Sequence, residues 1–159
     1  MTYDALLVEA DQHNIYVIEN MDFESSAKAL IHDDVIGISR TVRSSVERAC
    51  ILAEELGHYY SNTGDITDLS SISNRKQEYK GRLTGFNKMV GLFGIVSAYK
   101  AGCRNLYEMA EHLEVTEEYL KEALDAYRSK YGVYAKVDNY VSYFEPNLCV
   151  LELTQETYL

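Results

Sequence analysis

The chain has 159 residues, 47% of them hydrophobic, which is enough for one packed domain and short for two. A formal net charge of −10 argues against nucleic acid as a partner, because affinity for a phosphate backbone comes from Lys and Arg. No apolar run approaches the roughly eighteen residues of a membrane span, so no membrane partner is expected.

Taken in chain order, Tyr3, Leu6, Leu7 and Ala10 have helical spacing, and Ile15 to Ile18 reads as a short strand. Ala29 to His32 and Val35 to Ile38 are apolar runs around Asp33-Asp34, the pattern of a β-hairpin. Ser44 with Glu47 three residues on is a capping box that opens a helix running to Tyr60. Ser61 to Asn74 is polar and reads as a loop, and a second helix begins near Asn74 or Arg75 and passes Glu78. Leu92, Phe93, Val96 and Tyr99 form one face of a further helix that Gly102 stops. Asn105 and Thr116 cap two more helices, with Leu106, Met109, Ala110 and Leu113 inside the first and Tyr119, Leu120, Ala123, Leu124 and Tyr127 inside the second. Val133 to Val137, Tyr140 to Phe144 and Leu148 to Leu153 look extended, with a turn at Glu145-Pro146-Asn147. The expected class is α+β, mostly helical, with a small sheet packed on the helix after Ser44. The expected organisation is one domain over residues 1–132 and an extended tail, residues 133–159, packed on it.

The chemistry concentrates in Ala53-Glu54-Glu55-Leu56-Gly57-His58. Zinc peptidases use H-E-x-x-H on a helix, where ligands at i and i+4 share a face and the glutamate between them serves as base. Here Glu54 stands in the first ligand position, Glu55 is the candidate base and His58 is the second ligand. A carboxylate oxygen binds zinc as an imidazole nitrogen does. The same pair also fits an ordinary helical contact on a solvated face, although Ile51, Leu52 and Leu56 make the segment apolar. Gly57 costs about 1 kcal/mol relative to Ala inside a helix, which predicts a close neighbour there. A third protein ligand is needed. Glu78, the only acid in Asn74 to Lys80, is the candidate, and its spacing equally suits a surface charge among Arg75, Lys76 and Lys80.

Three stretches resemble the ImmA/IrrE metallopeptidases of bacteria and their phages and mobile elements. Val46 to Tyr60 is similar to the active-site helix of that family's Glu-Glu-x-x-His branch. Gly64-Asp65-Ile66 with Ser73 to Glu78 is similar to its loop and third-ligand segment, and Ala101 to Leu113 with Val115 to Tyr131 to its C-terminal helices. The likeness runs from the first helix to about Gly132. It implies a zincin-like α+β fold and a cytoplasmic zinc endopeptidase that cleaves or inactivates a helix-turn-helix repressor of a phage or mobile element. Glu54, His58 and Glu78 would hold Zn²⁺ and Glu55 would act as base.

Two anionic ligands weaken the metal as a Lewis acid, which predicts slow turnover and admits Mn²⁺, or no metal at all. Where the family's third-ligand helix commonly carries Ala, an aromatic residue and a closing Pro, this chain has Gly81, Leu83-Thr84-Gly85 and Gly91, predicting a looser helix around Glu78. Val35, Ile36, Gly37 and Ile38 are expected to offer a strand edge to an extended substrate. Tyr59 and Tyr60 are possible oxyanion donors, with core packing the commoner fate; His13, His32 and His112 are expected to be structural or solvated.

The alternative function is a non-catalytic pseudo-peptidase that docks a transcriptional regulator. A DNA-binding helix pair at Leu106 to Tyr127 is disfavoured, because its second helix carries Glu117, Glu118, Glu122 and Asp125. Three widely spaced cysteines (Cys50, Cys103, Cys149) and a start without the basic and apolar regions of a secretory signal predict a reducing, cytoplasmic setting.

Overall fold

A computed structural model describes residues 1–61 and 72–154. The Gly64-Asp65-Ile66 segment and most of the expected loop lie outside the described residues. The described chain is α+β and forms two compact units, Met1–Met89 and Val90–Leu159.

In the first unit, α1 (Tyr3–Gln12) starts where the Thr2 hydroxyl accepts the Ala5 N–H at 3.2 Å. β1 (Tyr16–Met21), β2 (Ala29–His32) and β3 (Val35–Ser39) form a sheet in the order β1-β3-β2. The expected hairpin is β2–β3, with Leu30 opposite Gly37 and Asp33 taking a φ of 51° in the turn. β1 pairs with β3 in parallel from Tyr16 opposite Val35. Ile36 and Ile38 are fully buried, and Phe23 covers Gly37.

α2 (Ser45–Ser61) packs on β2 and β3, so the small sheet does lie against the helix bearing Glu54 and His58. Its start carries half of the capping box: the Ser44 hydroxyl accepts the Glu47 N–H at 3.3 Å, while the Glu47 carboxylate pairs with Lys28 at 2.9 Å. Leu52, Ala53 and Leu56 face the core with Leu6 and Ile36. α3 (Ile72–Met89) runs unbroken through Gly81 and Gly85.

The C-terminal ends of α2 and α3 are tied to α1 through Glu9. Its carboxylate accepts from the Tyr60 hydroxyl at 2.9 Å and from the Lys88 ammonium, whose Nζ also lies 5.7 Å from the Tyr60 ring centre. Burial pushes the Glu9 pKa up, but these partners outweigh it and hold it below its ordinary 4.5. A depressed carboxylate pKa stabilises the fold above the ordinary value, and the contribution fades as pH falls through the lower, folded one. Glu9→Gln should therefore cost about 1 kcal/mol at neutral pH. Denaturant unfolding of parent and variant should converge as the pH drops below 4.5.

In the second unit, α4 (Gly91–Lys100), α5 (Leu106–Leu113) and α6 (Glu117–Tyr131) precede β4 (Tyr134–Val137), β5 (Tyr140–Tyr143) and β6 (Cys149–Glu152). Asn105 and Thr116 cap α5 and α6 through Glu108 N–H at 2.9 Å and Tyr119 N–H at 3.1 Å. The apolar stripe of α6 is buried as expected. The three extended segments form an antiparallel meander, β4-β5-β6, packed against α4 and α6. Residues 90–132 thus share a compact unit with residues 133–154, and the two units meet in sequence at Met89/Val90.

The face of α4 also differs. It buries Ile95, Val96 and Ala98, and leaves Phe93 70% exposed. Apolar residues surround this helix, so spacing alone does not choose between two faces.

Candidate metal centre

The site depends on how closely α2 and α3 cross. A Cβ built on Gly57 would stand 2.2 Å from the Gly81 carbonyl oxygen, and one on Gly85 would stand 3.0 Å from the Ala53 carbonyl oxygen. A Cβ on Gly81 would meet His58 Cδ2 at 2.5 Å. No side chain fits at these crossings, and only glycine lets the two backbones approach so far. The close neighbour expected at Gly57 is therefore α3 itself. Gly81 and Gly85, expected to loosen the third-ligand helix, instead clamp it to α2.

With the helices clamped, Glu54, His58 and Glu78 converge, each offering a ligand atom within 4.8 Å of the other two. Glu54 and His58 are one turn apart on α2, and Glu78 lies one turn before Gly81 on α3, facing the same crossing. Glu78 Oε1 is 3.1 Å from His58 Nε2, and Glu55 Oε2 is 3.7 Å from Nδ1. The candidate base thus sits beside one ring nitrogen and the third acid beside the other. Arg82, on the next turn of α3 after Glu78, reaches Glu54 at 3.8 Å. The sequence reading missed Arg82. Its i+4 spacing from Glu78 was the available signal.

His58 Nε2 is buried and has no hydrogen-bond partner among the described residues. Its 3.1 Å contact with Glu78 is close enough for an ion pair but lacks hydrogen-bond geometry. A buried ring nitrogen left unpaired is costly, whereas a lone pair aimed at a cation is not. Burial pushes the His58 pKa down, but the Glu55 carboxylate at Nδ1 and the charges of Glu78, Glu55 and Glu54 prevail and raise it. That field attracts any cation: three carboxylates stand against one guanidinium.

The donor set fits a small divalent ion. Ligand atoms about 2.1 Å from a tetrahedral zinc lie about 3.4 Å apart, so side-chain adjustments of about 1 Å would close the triad. Cys50 is buried in the core and is not one of the three ligands.

The expected strand edge is corrected. β3, which carries Val35, Ile36, Gly37 and Ile38, is the central strand, so its backbone groups are paired with β1 on one side and β2 on the other. It offers no edge; the edges belong to β1 and β2. The Tyr60 hydroxyl is committed to Glu9, and Tyr59 stacks edge-on to Tyr60 with ring centres 5.9 Å apart. The remaining histidines are structural or solvated as expected: His13 bonds the Glu9 carbonyl at 2.9 Å, His112 bonds Ser97 at 2.9 Å, and His32 is exposed beside Asp33.

No helix among the described residues is long and apolar enough to cross a membrane. No family model matches the chain, and no curated protein or solved structure matches it.

Proposed function

We propose that the first unit is a zincin-like metal-dependent endopeptidase that acts in the cytoplasm on a helix-turn-helix repressor of a phage or mobile element. The reading rests on one observation: Glu54, His58 and Glu78 converge around a buried His58 Nε2 that no hydrogen bond satisfies. The resemblance of Val46 to Tyr60 and Ser73 to Glu78 to ImmA/IrrE peptidases supplies the substrate class.

Glu54, His58 and Glu78 would hold the ion, and Zn²⁺ suits two oxygens and an imidazole nitrogen, with Mn²⁺ the alternative. Bound there, the metal would supply Lewis acidity toward water and a peptide carbonyl. Glu55 Oε2 lies 3.7 Å from Nδ1, so a small rotation would let it accept the Nδ1 proton and leave Nε2 free to ligate. Rotated off Nδ1, the same carboxylate becomes the base that takes the proton of the attacking water and passes it to the leaving amine. β2 is the sheet edge that packs on α2, and it is where an extended substrate would pair.

The test is incubation with the DNA-binding regulator encoded beside the gene, with zinc and with a chelator. Cleavage should need zinc, and Glu55→Gln should slow it by at least about 100-fold while the metal is retained. A regulator that is bound yet stays intact with zinc present selects the second reading, a pseudo-peptidase that only docks its partner. The two anionic ligands favour that reading to the extent that they weaken the Lewis acid.

A further inference from the structure

The second unit contains a cavity of about 790 Å³ that the proposed metal chemistry does not use. Its lining comes from the facing sides of α4 and α6, the start of α5, and the residues that lead from β5 into β6. The inner lining is apolar: Ile95 is fully buried, Phe144 3% exposed, and Met109 and Leu124 8% exposed each. Arg104, Lys121, Asp125 and Arg128 also line it and are exposed, so charge collects toward the solvent side.

That charge has the opposite sign to the rest of the molecule. Over the whole chain acids outnumber bases 25 to 15, whereas this lining has three bases and one acid. Arg104 is held by Glu108 at 2.9 Å and Arg128 by Asp125 at 3.1 Å. Lys121 has no ion pair among the described residues. It lies one turn before Leu124 and Asp125 and two before Arg128, on the face of α6 that lines the cavity.

We infer that this cavity binds a small amphiphilic anion, its apolar body against Ile95, Met109 and Phe144 and its carboxylate or phosphate head at Lys121. The volume lies within the roughly 300–1,000 Å³ of small-molecule sites, and an apolar interior with a few polar groups at the mouth is their usual make-up. An apolar body supplies affinity by leaving water. A cationic mouth in an acidic protein supplies the choice of anion.

The full-length chain would be titrated with anilinonaphthalene sulfonate, followed by fluorescence, and competed with decanoate, decyl phosphate, decanol and decylamine. One saturable site is expected, from which decanoate or decyl phosphate displaces the probe at roughly tenfold lower concentration than decanol or decylamine. Lys121→Glu, an exposed change that leaves the apolar lining intact, should remove that advantage without weakening decanol. Cys103 and Cys149 both line the cavity, so the bound anion should slow their alkylation in the unaltered chain, a readout that needs no variant. Equal competition by decanol, an unchanged preference in Lys121→Glu, or unprotected cysteines would overturn the assignment. So would probe release that tracks self-association in sedimentation, which would place a second copy of the chain in the cavity.

Discussion

Gly57→Ala is expected to destabilise the first unit by about 2 kcal/mol and to remove metal binding with it. The added methyl would stand 2.2 Å from the Gly81 carbonyl oxygen, a backbone atom that cannot rotate away. In an ordinary helix this substitution gains about 1 kcal/mol of helical propensity. Overpacking of this severity costs about 3 kcal/mol, so the sign reverses. Relief requires α3 to move off α2, and α3 carries Glu78.

Gly85→Ala meets the Ala53 carbonyl oxygen at a looser 3.0 Å and should cost less. Gly81→Ala drives into the His58 ring at 2.5 Å, so its effect on metal affinity should exceed its effect on stability. Urea unfolding followed by far-UV circular dichroism ranks the three. A Gly57→Ala chain as stable as its parent would mean that the helices do not cross this closely.

The second large effect is linkage between metal and stability. An ion that binds the folded state at 100 times its dissociation constant stabilises by about 2.7 kcal/mol. Unfolding of the parent should therefore shift strongly between zinc and chelator. Glu78→Gln removes one of the two ligand charges, and should lower zinc affinity by at least about 100-fold, beyond what outer-sphere changes cost. In chelator the same variant should stay within about 1 kcal/mol of the parent, since Glu78 is still 30% exposed and its contact with His58 is not a hydrogen bond. A purely structural Glu78 would give the reverse, with equal loss in zinc and in chelator.

Much of this fold was legible because its signals are local. The hairpin at Asp33-Asp34, the Ser44 start of α2, the caps at Asn105 and Thr116, and the stripe of α6 each depend on residues within a few positions of one another. The pairing of Glu54 and His58 on one face of α2 was legible for the same reason, whereas Glu78 on α3 was only a candidate until the helices were placed together. What was misread depends on partners distant in sequence. β3 becomes central only because β1 joins it in parallel, a pairing with no local mark. Gly81 and Gly85 look like weak points in α3 until Gly57 and Ala53 are placed against them. Glu9 bonding Tyr60 and Lys88 across three helices gave no sequence signal at all.

The most direct test of the central claim is X-ray absorption at the zinc edge on the loaded chain, with Glu78→Gln alongside. The account predicts one zinc per chain in a shell of nitrogen and oxygen at about 2.0–2.1 Å, with a single imidazole and no sulfur, and a depleted shell in the variant. A sulfur neighbour near 2.3 Å, a second imidazole, or a shell unchanged by Glu78→Gln would place the ion elsewhere and contradict it.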